Sequence, residues 1–64
     1  MEIGQIVKVR AYGGEELIRC VVRIDKGIVV VCRPDEYKAA QVEEREPMGV
    51  GFHKTDIIDD NLGD

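Results

Sequence analysis

The neutral groups able to act as nucleophiles in this 64-residue chain are Cys20, Cys32 and Thr55, and serine is absent. Nucleophilic catalysis needs an attacking group, a base and an orienting partner held together. The single histidine, His53, has no evident partner for acid–base work, so no catalytic constellation is read and no enzyme is expected. Two cysteines and one distant histidine fall short of the four ligands of a structural zinc site. Tyr12-Gly13-Gly14-Glu15 lacks the lysine and helix of a phosphate-binding loop. Asp56, Asp59 and Asp60 belong to an acidic end read as solvated, so neither metal nor cofactor is expected.

The remaining chemistry is cationic. The chain carries 9 basic and 13 acidic side chains, for a net charge of −4. The first 33 residues hold six of the bases (Lys8, Arg10, Arg19, Arg23, Lys26, Arg33) against four acids, and the rest hold three against nine. Such asymmetry marks either a basic binding face or two halves that neutralise each other. Arginine forks match carboxylate and phosphate geometry, so the decisive matter is whether the fold gathers these side chains.

The elements that position them follow from local pattern. Ile3 to Arg10 alternates β-branched and polar residues after a glycine, predicting a strand. Gly13 to Glu16 is a turn, Leu17 to Ile24 a second strand, Asp25-Lys26-Gly27 a turn, and Ile28 to Cys32 a third strand. Pro34 suits a first helical position. Asp35 and Glu36 favour the positive end of a helix dipole, predicting a short helix from Asp35 to Glu44 with a weak apolar stripe of Tyr37, Ala39, Ala40 and Val42. Met48-Gly49-Val50-Gly51-Phe52 reads as a strand whose glycines permit a bend or a close neighbour. His53 to Asp56 is a turn, Ile57 to Asp59 a last short strand, and residues 60–64 a frayed acidic tail.

Register then creates a candidate surface. A three-residue loop Asp25-Lys26-Gly27 pairs Ile24 with Ile28, Val22 with Val30 and Cys20 with Cys32, placing six apolar residues on one face. A two-residue turn would set Cys20 opposite Arg33 and mix the faces, and is rejected. A four-residue loop Gly13 to Glu16 pairs Tyr12 with Leu17, Val9 with Cys20 and Val7 with Val22. On the outward face, Arg10, Arg19 and Arg33 then form one transverse row, with Lys8 and Arg23 in neighbouring rows and Tyr12 flanking. Like charges facing across strands repel. Either Glu15, Glu16, Asp35, Glu36 and Glu43 neutralise the row within the chain, or an anionic partner does. Nucleic acid is the lesser candidate partner, because stacking aromatics are few and the overall charge is acidic.

Five short strands of this size must curl over one core. The glycine-led first strand, the Gly-Gly turn and the closing turn-plus-strand resemble the SH3-like barrel superfold. The Gly-Val-Gly-Phe segment also resembles a type of small uncharacterised bacterial protein. The resemblance implies a five-stranded SH3-like barrel in the order β-β-β-α-β-β, an all-β domain spanning residues 1–64, and it carries no activity. A peptide-binding SH3 groove needs tryptophan among its aromatics, and this chain has none. Small plasmid-borne dihydrofolate reductases are similar in size and barrel type, but their Val-Gln-Ile-Tyr segment has no match at Met48 to Phe52.

The longest apolar run, Ile28 to Cys32, is far short of the roughly 18 residues of a membrane span, and the first residues lack a signal-peptide pattern. A cytoplasmic location is expected, with cysteines as small core residues. By this register Ile6, Val21, Val29 and Val31 point outward, to be covered by the helix or by another copy. The expected function is an interaction module binding an anionic partner on the arginine row, the alternative a self-assembling structural subunit.

Overall fold

The computed structural model describes residues 1–62, with side chains as far as Asp60. Strand β1 spans Ile6–Arg10, β2 Glu16–Asp25, β3 Ile28–Cys32, β4 Val50–His53 and β5 Ile57–Leu62. Helix α1 spans Pro34–Val42, and single 3₁₀ turns lie at Tyr12–Gly14 and Lys54–Asp56. The chain is mostly sheet: five antiparallel strands in the order β4-β3-β2-β1-β5. The sheet is not closed, since β4 and β5 stay at its two edges without pairing among the described residues. The last strand runs through Leu62, beyond the expected end at Asp59, and the tail expected over 60–64 is therefore strand as far as it is described.

Both hairpins depart from the expected register. At the first, Gly13 and Gly14 take φ of +85° and +82°, and Ala11 N–H bonds Glu15 O. Arg10 therefore opposes Glu16, and Val7 and Val9 oppose Arg19 and Leu17. Glycine carries both left-handed residues at little cost, so the reversal is tighter and sits earlier than a Gly13 to Glu16 loop.

At the second, the turn is the two-residue Lys26-Gly27, with Asp25 opposite Ile28, Ile24 opposite Val29 and Arg23 opposite Val30. A bulge then takes up Val22, so Val21 opposes Val31 and Cys20 still opposes Cys32. The rejected two-residue turn is thus compatible with paired cysteines, because one extra residue on β2 restores the count.

The bulge and the shifted first hairpin change which residues lie inside. Val7, Val9, Val21, Val29 and Val31 form the core, with Leu17, Phe52 and Ile57 packed against it. Val21, Val29 and Val31, expected outward, are essentially fully buried, while Ile18, Ile24 and Ile28, expected inward, are exposed. On the opposite face Cys20 and Cys32 are buried together with Ala40 of α1. With one face curled around the valines and the centre of the other capped by a helix, burial is satisfied without a closed barrel.

Of the expected helical stripe only Ala40 is buried, Tyr37 is half-buried and Val42 is 85% exposed. Tyr37 lies over Gly4, where an added Cβ would come within 3.1 Å of its hydroxyl. Gly4 also takes φ +90° and donates to Val21 O, while Val21 donates to Gln5 O. The segment before β1 is thereby tied to the middle of β2. No helix among the described residues is long and apolar enough to cross a membrane.

Candidate functional site: a groove beside the open edge

Arg10, Arg19 and Arg33 do not form the expected transverse row, since Arg10 opposes Glu16 and Arg19 opposes Val7. Successive side chains on a strand alternate between faces. Lys8 and Arg10 leave β1 on the face opposite Val7 and Val9, and Arg23, opposite Val30, leaves β2 on that same outer side. Arg19 is paired with Val7 and shares the core face. Arg33 follows β3 as the N-cap residue of α1, and Tyr12 stands fully exposed in its 3₁₀ turn. Lys8 meets Glu16 at 3.7 Å and Arg33 Nε meets Asp35 at 3.3 Å, so part of the expected cationic surface is neutralised within the chain.

Two members of the expected row line one groove. Arg19 and Arg33 both line a groove of about 320 Å³ between the end of β3 and the chain entering β4. Its floor is apolar: Leu17 and Val31 from the central strands, Val50 and Phe52 from β4. Met48 forms its lip and is 82% exposed, and Val50 is 64% exposed. Arg19 is half-buried, donates from Nη1 to Ile18 O at 2.8 Å, and faces no carboxylate at ion-pair distance among the described residues. The groove therefore pairs an apolar floor with two guanidinium groups, one with its own carboxylate and one without.

The lip is held from the helix. Glu36 of α1 accepts Arg45 Nη1 at 2.6 Å and Nη2 at 3.2 Å, and also accepts the Met48 backbone N–H at 3.0 Å. Arg45 in turn reaches Glu43 through Nε. The bidentate guanidinium and the Met48 amide stabilise the charged carboxylate, holding Glu36 down at about 2. Contacts with Glu36 and then Glu43 raise the Arg45 pKa.

A group whose folded pKa is depressed stabilises the fold above its ordinary value and loses that contribution as pH falls through the folded one. Wild-type protein should therefore lose stability between about pH 4.5 and about pH 2. Glu36→Gln should flatten that part of the profile and free the Met48 amide. Thermal melts from pH 5 to pH 2 check this; parallel profiles for the two proteins would refute it.

Glycine makes the close fit of this segment possible. A Cβ at Gly49 would lie 2.8 Å from Val30 Cγ1 and 2.9 Å from Val31 O. The Met48 to Phe52 alternation gave a visible sign of a close neighbour, but only the pairing of Val31 with Val50 shows that β4 walls a groove. Met48, Val50 and Phe52 thus line the groove, and charge-based reading passed over them.

The cysteines are free and buried. Burial, then the neighbouring Cys32, pushes the Cys20 thiol up; burial, then Glu36 and Asp35, pushes Cys32 up. Both are thiols at neutral pH, the unreactive form. His53 is exposed at the end of β4, opposite Ile28. No group of three or more potential metal ligands occurs among the described residues. Comparison with family models, curated proteins and solved structures finds no match to this chain.

Proposed function

We propose that the chain is a non-enzymatic interaction module that takes an anionic protein segment in the groove rimmed by Arg19 and Arg33. The observation that carries this reading is the half-buried Arg19, which lines the groove beside its apolar floor with no carboxylate at ion-pair distance among the described residues. A cation in that setting gains a charge-assisted hydrogen bond when a carboxylate arrives, and the exposed Met48 and Val50 gain cover. Lys8, Arg10, Arg23 and Tyr12 have no part in this site.

The strand order and the short inserted helix support reading the fold as an opened relative of the SH3-like barrel. Two free buried thiols suit a reducing compartment, and hence a cytoplasmic module.

The test is charge reversal. A synthetic hexapeptide of sequence Val-Val-Asp-Asp-Val-Val, which carries both aspartate and valine on either face of an extended strand, titrated at low salt and followed by amide NMR shifts, should perturb residues around the groove. Arg19→Glu should weaken it about tenfold or more, the scale of a hydrogen bond to a charged group. Arg10→Glu on the other face should leave it within twofold. Equal effects of the two substitutions would reduce the binding to overall charge and dispose of the site.

The alternative of a self-assembling subunit keeps support from the same exposed Met48 and Val50. It loses Val21, Val29 and Val31, which are buried within one chain.

A further inference from the structure

The two edges of the open sheet differ in kind. Its β5 edge carries Asp59 and Asp60, and β5 pairs with β1 through two register shifts. Charge and bulges are the devices by which sheets keep other strands off an edge. The β4 edge has neither. From Met48 to Phe52 there is no charged residue, glycine alternates with apolar side chains, and β4 pairs with β3 in unbroken register from Val31–Val50 to Ile28–His53. An uncharged edge strand free of bulges presents a row of unpaired N–H and C=O groups to solvent, ready for another strand. The same segment walls the groove whose far rim is Arg19 and Arg33.

We infer that the partner binds by β-augmentation: an extended acidic–apolar peptide segment adds a sixth strand to β4. Its backbone pairs with the outer edge of β4, Val50–His53, and alternate side chains turn toward the groove. There apolar residues cover Val50 and Phe52 and carboxylates meet the guanidinium groups. Main-chain pairing supplies affinity in this mode and alternate side chains supply specificity. This rests on the groove reading above and adds the partner's conformation and its backbone contacts.

Charge complementarity selects this occupant over a second copy of the chain. A copy docking edge to edge would bring its own Met48 to Phe52, which contains no carboxylate to offer Arg19 and Arg33.

The experiment uses the same aspartate–valine hexapeptide with two further versions, N-methylated at odd or at even residues. A strand added to an edge pairs through alternate residues only. One methylation pattern should therefore weaken binding at least tenfold, and the other should bind as the parent does. The parent should also slow hydrogen exchange at amides within 49–53. If both methylated peptides bind like the parent, augmentation is overturned while an anion-binding groove stands. If a lysine–valine peptide binds as well as the aspartate–valine one and the methylation effect persists, the groove reading fails and augmentation stands without its charge selection.

No binding of the parent at millimolar concentration overturns both. So does its displacement by single-stranded oligonucleotide with no effect from either methylation pattern. A concentration-dependent dimer by sedimentation, with β4 amide shifts that vary on dilution, assigns the edge to a second copy and overturns the inference.

Discussion

Gly49→Ala should destabilise the protein by about 2 kcal/mol, the middle of the range for forcing a methyl group into a packed site. The new Cβ would lie 2.8 Å from Val30 Cγ1 and 2.9 Å from Val31 O. The valine can turn, but the carbonyl belongs to the β3 backbone and cannot move without disturbing the sheet. In a domain of this size such a loss lowers the melting temperature by about 8–16 °C.

Gly51→Ala is the matched control. Its Cβ would meet only Ile28 Cγ2, at 3.2 Å, a side-chain methyl that needs to give by a few tenths of an ångström, with no backbone atom in the way. The loss there should be well under half as large. Thermal melts of the two variants compare them directly, and equal shifts would contradict the close approach of Gly49 to β3. Because Gly49 lies between the Met48 lip and Val50, the same change should displace the groove wall and weaken peptide binding beyond its effect on stability.

Val21→Ala is expected to cost about 2 kcal/mol or more, from the two carbons removed and the cavity left behind. Val21 is completely buried, in the middle of β2 between β1 and β3. Its neighbour Val22 is the bulged residue and is only half-buried. Val22→Ala should cost less than half as much. A small domain has little stability in reserve, so Val21→Ala should leave a substantial unfolded population at 25 °C, visible by urea titration. The pair is a direct test of register: the alternative with Val22 inside predicts the opposite ranking.

These adjacent valines show why the faces were hard to read from sequence. Alternation reports a face only where one set of positions is polar. In β3 the run Ile28-Val29-Val30-Val31-Cys32 is apolar throughout, and Val21-Val22 in β2 gives no contrast at the point where register is fixed. Minimising mixed faces favoured a three-residue loop, whereas a two-residue turn with a bulge at Val22 gives the same cysteine pairing and places the other valines inside. The arginine row fell with that choice. Arg10 moved opposite Glu16, and Arg19 went to the core side, where it lines a groove together with Arg33.

Local chemistry alone determined five strands and a short helix begun by Pro34, together with turns at the glycines. Each follows from propensities within a few residues: β-branched runs, a ring that fixes φ, and positions that tolerate left-handed backbone. The facing of Cys20 and Cys32 was also legible from the expected three-residue loop, and the structure reaches it by a two-residue turn with a bulge at Val22. Tertiary structure decided the rest. Which valines are buried, that α1 covers the cysteine face, and that β4 remains an open edge beside two arginines all depend on how a bulge and a glycine turn set strand offsets. Those offsets are selected by the total surface buried across both faces, a sum over distant residues that no local window contains.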